Sequence, residues 1–446
     1  MQDKKYYKTA LALAWPAVFE SFFIALAGII DTFMISGLGP SAVAAIGLTA
    51  QPKFIALTVF FAICSAVSAL VARRQGEGDR KKANQTLVTA LLLSLIFVVI
   101  TTIVMIYFTD PILRFAGSTD QTHEMAREYF IVIMAGIVFS AISQVINAAH
   151  RGAGNTQIAF VTNLVSSVVN IFFNYLLIDG KLGFPALGTK GAAIATVLGT
   201  LVSTIMCLLS LRRKSSYLNF NIMKQDKLRI NKTITKEISN IGTNIFIEIM
   251  SMRIGFFITA ITAARLGTNY FALHNVGMNL LSLSFSLGDG MSVAVITLTG
   301  NSLGAGEKTE AIRYGKVCQQ IGFMMSIMIS IVFFVFGKRI FGLFFNDPEV
   351  VKNSGIIIKY LGFIVLMQIL QVIHAGSLRA AGDVKFTLIV AVVSVAIIRS
   401  LITLITVNIL GLGLDGIWIG ILSDQTSRLI VLRHRFKQGK WVDLKI

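Results

Sequence analysis

Twelve long apolar runs, joined by short polar connections, constrain this chain more than any other feature of its sequence. Each run is near or above the ~20 residues that an α-helix needs to cross the hydrocarbon core of a bilayer. The runs cover residues 8–36, 41–72, 85–108, 127–150, 157–179, 190–211, 237–265, 269–302, 312–337, 354–377, 385–410 and 414–432. The pattern predicts an all-α polytopic membrane protein with twelve transmembrane helices.

Composition agrees with this prediction and excludes other classes. Of 446 residues, 55% are hydrophobic and 14% are charged, and the mean hydropathy is +0.75, which leaves too little polar surface for a water-soluble globule. The net charge of +18 lies mainly in short connections, so we expect it to orient helices rather than to bind nucleic acid. The three cysteines lie in or beside apolar runs without a CxxC pair, so neither disulfides nor a metal site is expected.

Lysine and arginine favour every second connection, which predicts the orientation of the helices. Basic clusters fall at residues 4–8, 73–82, 151, 212–236, 308–316, 379–385 and 433–440, and the alternate connections are poorer in basic residues. By the positive-inside rule, both termini are expected on the cytoplasmic side of the cell membrane. An even number of spans agrees with that orientation.

The two halves of the chain match each other at a constant shift of 248 − 20 = 228 residues. The shift relates residues of one half to residues of the same type in the other: Glu20 to Glu248, Gly76 and Gly78 to Gly304 and Gly306, and Arg151 to Arg379. Six spans per half predict two parallel six-helix repeats around a central cleft. The expected lobes are 1–211 and 237–446, joined by a cytoplasmic linker at 212–236, and the substrate is expected in the cleft.

The first apolar run carries two carboxylates, Glu20 and Asp31, which are costly in hydrocarbon unless water, a partner or a proton attends them. Their separation of 31 − 20 = 11 residues is about three helical turns, so both point to the same side, roughly 16 Å apart. One face of this helix is therefore expected to line a polar cavity. Hydrogen bonding that holds helices together is the alternative, and it weighs more for Glu20 than for Asp31.

Other polar residues inside the runs are candidates either for a cavity or for helix packing. Asp289 lies between two glycines, where backbones approach closely, so a cavity-lining role and a structural role are both open. Arg253 and Arg399 are expected to pair structurally, although a basic cavity is also compatible with them. Arg151 and Arg379, in matching connections, are expected to serve orientation and lobe packing.

Short motifs occur in order along the whole chain: Trp15-Pro16, Asp31-Thr32-Phe33-Met34 then Gly37-Leu38-Gly39, Gly76-Glu77-Gly78, Arg151-Gly152-Ala153-Gly154-Asn155-Thr156, Gly191-Ala192-Ala193-Ile194-Ala195-Thr196, and Leu303-Gly304-Ala305-Gly306. Each motif alone is weak, but their order, spacing and duplication together are fairly specific. On these motifs the chain resembles the multidrug and toxic compound extrusion (MATE) transporters over essentially its whole length. The resemblance implies a twelve-helix exporter of organic cations that needs no cofactor and is driven by sodium ions or protons.

The resemblance also implies functional residues in each repeat. Asp31 matches the acidic residue of the family's first helix, which is implicated in coupling or proton binding. Asn170, Asn174 and Thr196 match a polar cluster that faces this aspartate, and the i, i+4 spacing of the asparagines points both amides one way. Glu248 matches a glutamate that is tied to a sodium site in one branch of the family.

Two replacements separate the chain from that branch. Asn174 stands where many members have aspartate, and Gln368 replaces an aspartate that the branch carries in its tenth helix. Both replacements weaken the match to a cation site built from two carboxylates. The candidates for the substrate cleft are Glu20, Asp289, Gln368 and Arg253.

Three other functions are compatible with a polytopic membrane protein. An enzyme is not expected, because the chain has no HExxH, GxSxG or Cys/His cluster. Internal repeats with isolated midplane carboxylates favour alternating access by a monomer over a channel. A flippase for lipid-linked oligosaccharides, from the same superfamily, is the main alternative to a secondary antiporter for organic cations. A cleft lined by carboxylates rather than arginines would favour the antiporter.

Overall fold

The computed structural model describes residues 2–213, 216–226, 229–345 and 348–444, and within them the chain forms twelve long helices and no strand. The first six are α1 Gln2–Ser36, α2 Pro40–Gly76, α3 Arg80–Tyr107, α4 Asp120–Gly152, α5 Thr156–Leu177 and α6 Gly188–Ser210. The other six are α7 Lys232–Arg265, α8 Thr268–Gly304, α9 Lys308–Gly342, α10 Pro348–Ala380, α11 Val384–Ile409 and α12 Gly413–Gln438. Short helical segments at Thr109–Phe115 and Phe220–Gln225 lie in the connections. The predicted all-α fold is confirmed.

The helices have the length and composition of membrane spans. Among those described, α1 to α11 are long and apolar enough to cross a bilayer, whereas α12 falls short in hydropathy. The reason is that α12 carries Asp424 and Arg428 in its middle and basic residues in its last turn. Large apolar side chains such as Ile96, Val99 and Ile103 are exposed along α3, as expected of a surface that lipid covers. The chain is a multi-pass membrane protein.

Corresponding helices of the two repeats begin 228 residues apart. The first residues of α2, α3, α4 and α5 are 40, 80, 120 and 156, and those of α8, α9, α10 and α11 are 268, 308, 348 and 384. Both α2 and α8 have 37 residues, and both α4 and α10 have 33. The two predicted repeats are therefore present in the fold.

Glycines in a left-handed conformation explain why the repeats turn at matching places. Gly39 has φ 99° and its counterpart Gly267 has φ 115°, and the same conformation recurs at Gly78 with Gly306 and at Gly154 with Gly382. A side chain would be strained at such φ values, so glycine ends or separates the helices there. The sequence shift of 228 residues thus marks positions where the backbone requires glycine.

The chain packs as two compact units. One comprises Phe19–Gly242, and the other comprises Met1–Val18 with Thr243–Ile446, so the boundaries fall inside α1 and α7 rather than in the connections. The linker expected at 212–236 belongs to the first unit, where the Arg80 guanidinium donates hydrogen bonds to the carbonyl oxygens of Tyr217 at 2.9 Å and Ser216 at 2.6 Å. The lobes predicted at 1–211 and 237–446 thus differ from these units in both boundaries.

Candidate functional site

A polar cluster in the first unit surrounds Asp31. Asn174 of α5 donates a hydrogen bond from Nδ2 to Oδ1 of Asp31 at 2.7 Å. With its amide oriented to satisfy both ends, Asn170 donates to Oδ1 of Asp31 at 2.7 Å and to Oδ2 at 3.2 Å. In that orientation its oxygen accepts from the backbone N–H of Thr196 at 3.2 Å. The structure therefore brings together the four residues that the sequence grouped, here called the Asp31 cluster.

Close packing of α5 against α6 forms the cluster. A Cβ atom at Gly199 would lie 2.6 Å from the carbonyl oxygen of Ser166, so glycine lets the two backbones approach one turn away from Asn170 and Thr196. Asn174 is buried, and its Oδ1 has no hydrogen-bond partner among the described residues. A buried carbonyl oxygen without a donor is costly, so this atom is an acceptor in waiting beside the Asp31 carboxyl group.

Lys53 is a functional candidate that the sequence reasoning missed. It lies on α2, half-buried, and it interacts electrostatically with Asp31. The signal was present in the sequence, because Lys53 is a single cation in the middle of the apolar run 41–72, where an ionisable residue is a functional candidate by default. The Asp31 cluster thus combines a carboxyl group, two amides, a hydroxyl group and a nearby ammonium group.

Each repeat has one glutamate of its first helix paired with an arginine that follows its fourth helix. In the first repeat, Arg151 Nη1 donates to Glu20 Oε1 at 2.8 Å, and Asn163 Nδ2 donates to the same oxygen at 2.7 Å. In the second repeat, Arg379 Nη2 donates to Glu248 Oε1 at 2.5 Å. The sequence separation is 131 residues in both pairs, so the pairs are equivalent by the repeat.

These ion pairs bear on the roles assigned to the two glutamates. Glu20 is 6% exposed and Glu248 is 4% exposed, and the described structure gives each an arginine partner, which is the structural alternative considered for Glu20. The second repeat adds a long hydrogen bond from Thr387 Oγ1 to Glu248 Oε2 at 3.4 Å in place of the amide of the first. Roles for Glu20 in a substrate cleft and for Glu248 in coupling stay predictions.

The second repeat replaces the Asp31 cluster with a buried ionic cluster. Position 31 + 228 is Thr259, and position 196 + 228 is Asp424. Arg399 donates through Nε and Nη2 to Oδ2 of Asp424, and Arg428 donates to Oδ1 from Nη2 at 2.9 Å and from Nε at 3.1 Å. We call these three residues the Asp424 cluster. Structural pairing is the role that the sequence predicted for Arg399.

The remaining candidates lie on three helices of the second unit. Asp289 is exposed on α8, and Gln368 is buried on α10 with its Oε1 atom unpaired among the described residues. Arg253, half-buried on α7, has its guanidinium 6.0 Å from the ring centroid of Phe256. No group of three or more histidine, cysteine, aspartate or glutamate residues suited to a metal ion occurs in the described part of the chain.

Comparison with known families identifies the chain. The MatE family model matches residues 16–176 and again residues 245–405, which is one match for each repeat. The chain belongs to the MatE family. MatE proteins are transporters and not enzymes, which confirms both the resemblance and the expected absence of enzymatic chemistry.

Curated relatives of this MatE protein align over nearly its whole length. A probable multidrug resistance protein NorM of Thermotoga maritima is 27% identical over 442 residues, covering 97% of this chain and 93% of the relative. A probable NorM of Rhizobium meliloti is 26% identical over 411 residues, covering 91% of this chain and 88% of the relative.

Solved MATE structures share the fold. A crystal structure of MATE in complex with MaL6 has a TM-score of 0.88 at 26% identity and covers 98% of this chain and 97% of its own. A Pyrococcus furiosus transporter of the MOP superfamily, described as having a binding pocket of reverse polarity, has a TM-score of 0.89 at 25% identity with the same coverage. A multidrug resistance MATE transporter in an outward-facing conformation matches equally well, with a TM-score of 0.89 at 25% identity.

Proposed function

We propose that this protein is a multidrug efflux antiporter that exports amphipathic organic cations across the cell membrane in exchange for protons. Membership of the MatE family and the multidrug resistance names of its relatives support export of drug-like compounds. The observation that carries the proposal is the Asp31 cluster, in which a carboxyl group inside a membrane span meets two amides and an unpaired amide oxygen. Ionisable residues at such depth mark ion pathways.

The arrangement of donors and acceptors supports protons over sodium ions as the coupling ion. Both oxygens of Asp31 accept hydrogen bonds from amide nitrogens, which cannot serve as ligands for a hard cation. One acceptor is left over, the Oδ1 atom of Asn174. A single proton on the Asp31 carboxyl group needs one acceptor, whereas a sodium ion needs several oxygen ligands. The cluster therefore suits proton binding.

Exchange follows from competition for one carboxyl group. When Asp31 is ionised, it is balanced by Lys53 and attracts a cationic substrate, and when it is protonated, that attraction is lost. Each occupancy favours one of the two arrangements of an alternating-access cycle, because a ligand shifts a conformational equilibrium by its differential affinity for the two states. Protons entering down their gradient then release the cation on the outer side.

The experiment is gradient-driven export by purified protein in proteoliposomes. Ethidium movement is recorded with an imposed pH gradient and without sodium ions, for the wild type, for Asp31→Asn and for Asp226→Asn. The last variant makes the same chemical change in a connection outside the membrane spans. Export is expected from the wild type and from Asp226→Asn but not from Asp31→Asn, whose folding is checked by its elution profile. Wild-type export by Asp31→Asn would end the proposal.

Orientation and oligomeric state are part of the same proposal. Both termini lie in the cytoplasm, since basic residues concentrate in the connections on that side. The protein acts as a monomer, because its internal repeat supplies two related halves within one chain. Membrane-impermeant thiol labelling of Asp3→Cys and of Asp179→Cys in cells should label the second variant alone, since the Asp179 connection is expected outside.

A flippase for lipid-linked oligosaccharides is the second candidate. The observation that favours it is the Asp424 cluster, in which two arginines share one carboxylate inside the second unit. Excess positive charge suits a lipid phosphate better than an organic cation. The same proteoliposomes discriminate the two functions, because a flippase would move a fluorescent polyprenyl-phosphate analogue between leaflets without exporting ethidium.

A further inference from the structure

The Asp424 cluster carries more positive than negative charge in a buried position. Arg399 is 1% exposed, Asp424 is fully buried and Arg428 is 7% exposed. Asp424 and Arg428 are the charged groups that act on Arg399, so two cations share one anion. A buried unit charge without a partner is strongly unfavourable, which indicates that the cluster lacks one negative group.

The unused donors of both arginines show where that group belongs. Each guanidinium engages Asp424 through Nε and Nη2, which leaves its Nη1 group for another acceptor. Nη1 of Arg399 has no hydrogen-bond partner among the described residues. Nη1 of Arg428 meets the thioether sulfur of Met252 at 3.8 Å, and a thioether is a weak acceptor. Two buried N–H groups therefore await an acceptor.

The backbone holds these groups in place. Residues Val392–Arg399 of α11 form a π-helix, a wider turn that is rare and often occurs at functional sites. A Cβ atom at Gly255 would lie 2.3 Å from the carbonyl oxygen of Val395, so α7 packs directly on this turn. The side chain of Phe256, next to Gly255, presents its ring to Arg399 at 4.7 Å from the centroid. A ring face attracts a cation but offers no hydrogen-bond acceptor.

A second pair of polar atoms near Arg399 also lacks partners. His274 of α8 interacts electrostatically with Arg399 and packs edge-on against Trp418 of α12, with ring centroids 5.8 Å apart. Among the described residues, neither Nδ1 of His274 nor the indole N–H of Trp418 has a hydrogen-bond partner. Both side chains are buried. Unpaired polar atoms at this density indicate a bound polar group, since buried polar atoms are nearly always satisfied.

We propose that the Asp424 cluster is an anion-binding site that takes one carboxylate group. One negative charge balances the cluster, and a carboxylate offers two oxygens to the paired Nη1 groups, the geometry that guanidinium groups recognise best. The carboxylate belongs either to a small free acid or to a transported compound. Both sources share the same chemistry at Arg399 and Arg428, and they differ in what removal of the site does to transport.

The first test measures binding without transport. Thermal unfolding of the purified full-length protein in detergent is followed by tryptophan fluorescence while sodium acetate replaces sodium HEPES at constant ionic strength. The wild type should show a saturable rise in Tm, because a ligand of the folded state stabilises it. Arg399→Lys keeps the charge but loses the Nη1 group, so its acetate midpoint should rise about tenfold. Arg435→Lys, on the same helix and paired with Asp383, is the matched control and should behave as wild type.

Two outcomes of that test overturn the site. One is a wild-type Tm that does not respond to acetate, which would mean that water satisfies the Nη1 groups. The other is an equal response to sodium chloride, which would mean that the site does not select a carboxylate. If Arg399→Lys fails to fold, Arg428→Lys makes the same change on the other arginine, and the wild-type titration stands without either variant.

The second test separates the two sources and rests on the proposed export function. Rhodamine 19 carries a free carboxylate, and rhodamine 6G is its ethyl ester. If the bound carboxylate belongs to the substrate, Arg399→Lys should lose export of rhodamine 19 and keep that of rhodamine 6G. If a free acid fills the site, both dyes should be affected alike. Should the wild type export neither dye, the export function fails while the Tm titration still decides the site.

Discussion

Breaking the Arg379–Glu248 pair is expected to destabilise the protein strongly and in an asymmetric way. The Glu248 side chain is 5% exposed, whereas that of Arg379 is 22% exposed. Arg379→Met leaves a buried carboxylate with the long Thr387 contact of 3.4 Å, and should cost about 3 kcal/mol, the low end for a broken buried pair. Glu248→Gln leaves an arginine that reaches solvent, so it should cost about 1–2 kcal/mol.

A double-mutant cycle isolates the interaction. Adding Glu248→Gln to Arg379→Met removes the stranded charge, so the double variant should be about 2 kcal/mol more stable than the sum of the single effects implies. The assay is reversible unfolding in mixed micelles at rising denaturing-detergent fraction, followed by helical circular dichroism. The exposed pair Lys308–Asp443, at 2.6 Å with side chains 57% and 65% exposed, is the control and should couple by less than about 1 kcal/mol.

The repeat supplies a second comparison. Glu20 keeps a hydrogen bond from Asn163 at 2.7 Å when Arg151 is removed, whereas Glu248 keeps only the longer contact from Thr387. Arg151→Met should therefore cost less than Arg379→Met. Coupling at Arg379–Glu248 no larger than in the exposed control would refute the reasoning, and so would a larger loss on removing Arg151.

Three further predictions concern coupling and packing. Asn174→Asp places a second carboxylate beside Asp31 and should make export depend on sodium ions, measured by replacing sodium with choline; unchanged dependence counts against the cluster as a cation site. Lys53→Met removes the ammonium group that favours ionised Asp31, so the half-maximal pH of export should move upward, and an unmoved profile would dismiss Lys53. Gly255→Ala should destabilise by about 1–3 kcal/mol, because its Cβ would meet a carbonyl of α11, whereas Gly47→Ala, with open space, should be neutral or stabilising; equal effects in thermal unfolding would reject the close packing.

The fold was predictable because it depends on patterns that one sequence displays. Apolar runs give the spans, and left-handed glycines such as Gly39 and Gly267 repeat at a fixed shift because the backbone needs them at the same turns. Helix ends were less predictable: α1 begins at Gln2 rather than residue 8, since a helix continues through polar residues beyond the bilayer. The boundaries between units, inside α1 and α7, leave no mark in the sequence.

The candidate site was predictable where spacing or resemblance carried it. The Asp31 cluster followed from the family motif and from the i, i+4 asparagines. The glutamate–arginine pairs were visible in principle, because Glu20 and Arg151 recur together at the same shift as opposite charges in apolar surroundings. Partners 131 residues apart still cannot be joined without the fold.

Two features depend on geometry that the sequence does not encode locally. The π-helical turn at Val392–Arg399 aims Arg399 at Asp424, and nothing in the residue pattern of α11 distinguishes it from a regular helix. The interaction of Lys53 with Asp31 depends on the packing of α2 against α1. Long-range packing of this kind decides which ionisable groups meet.

Proton movement driven by substrate is the most direct test of the central claim that Asp31 couples export to protons. Proteoliposomes contain a pH-sensitive dye, sodium is absent, and ethidium is added without any imposed gradient. The account predicts an opposing proton flux in the wild type that is absent in Asp31→Asn and retained in Asp226→Asn. A proton flux that persists in Asp31→Asn, or ethidium movement that requires sodium ions, would contradict it.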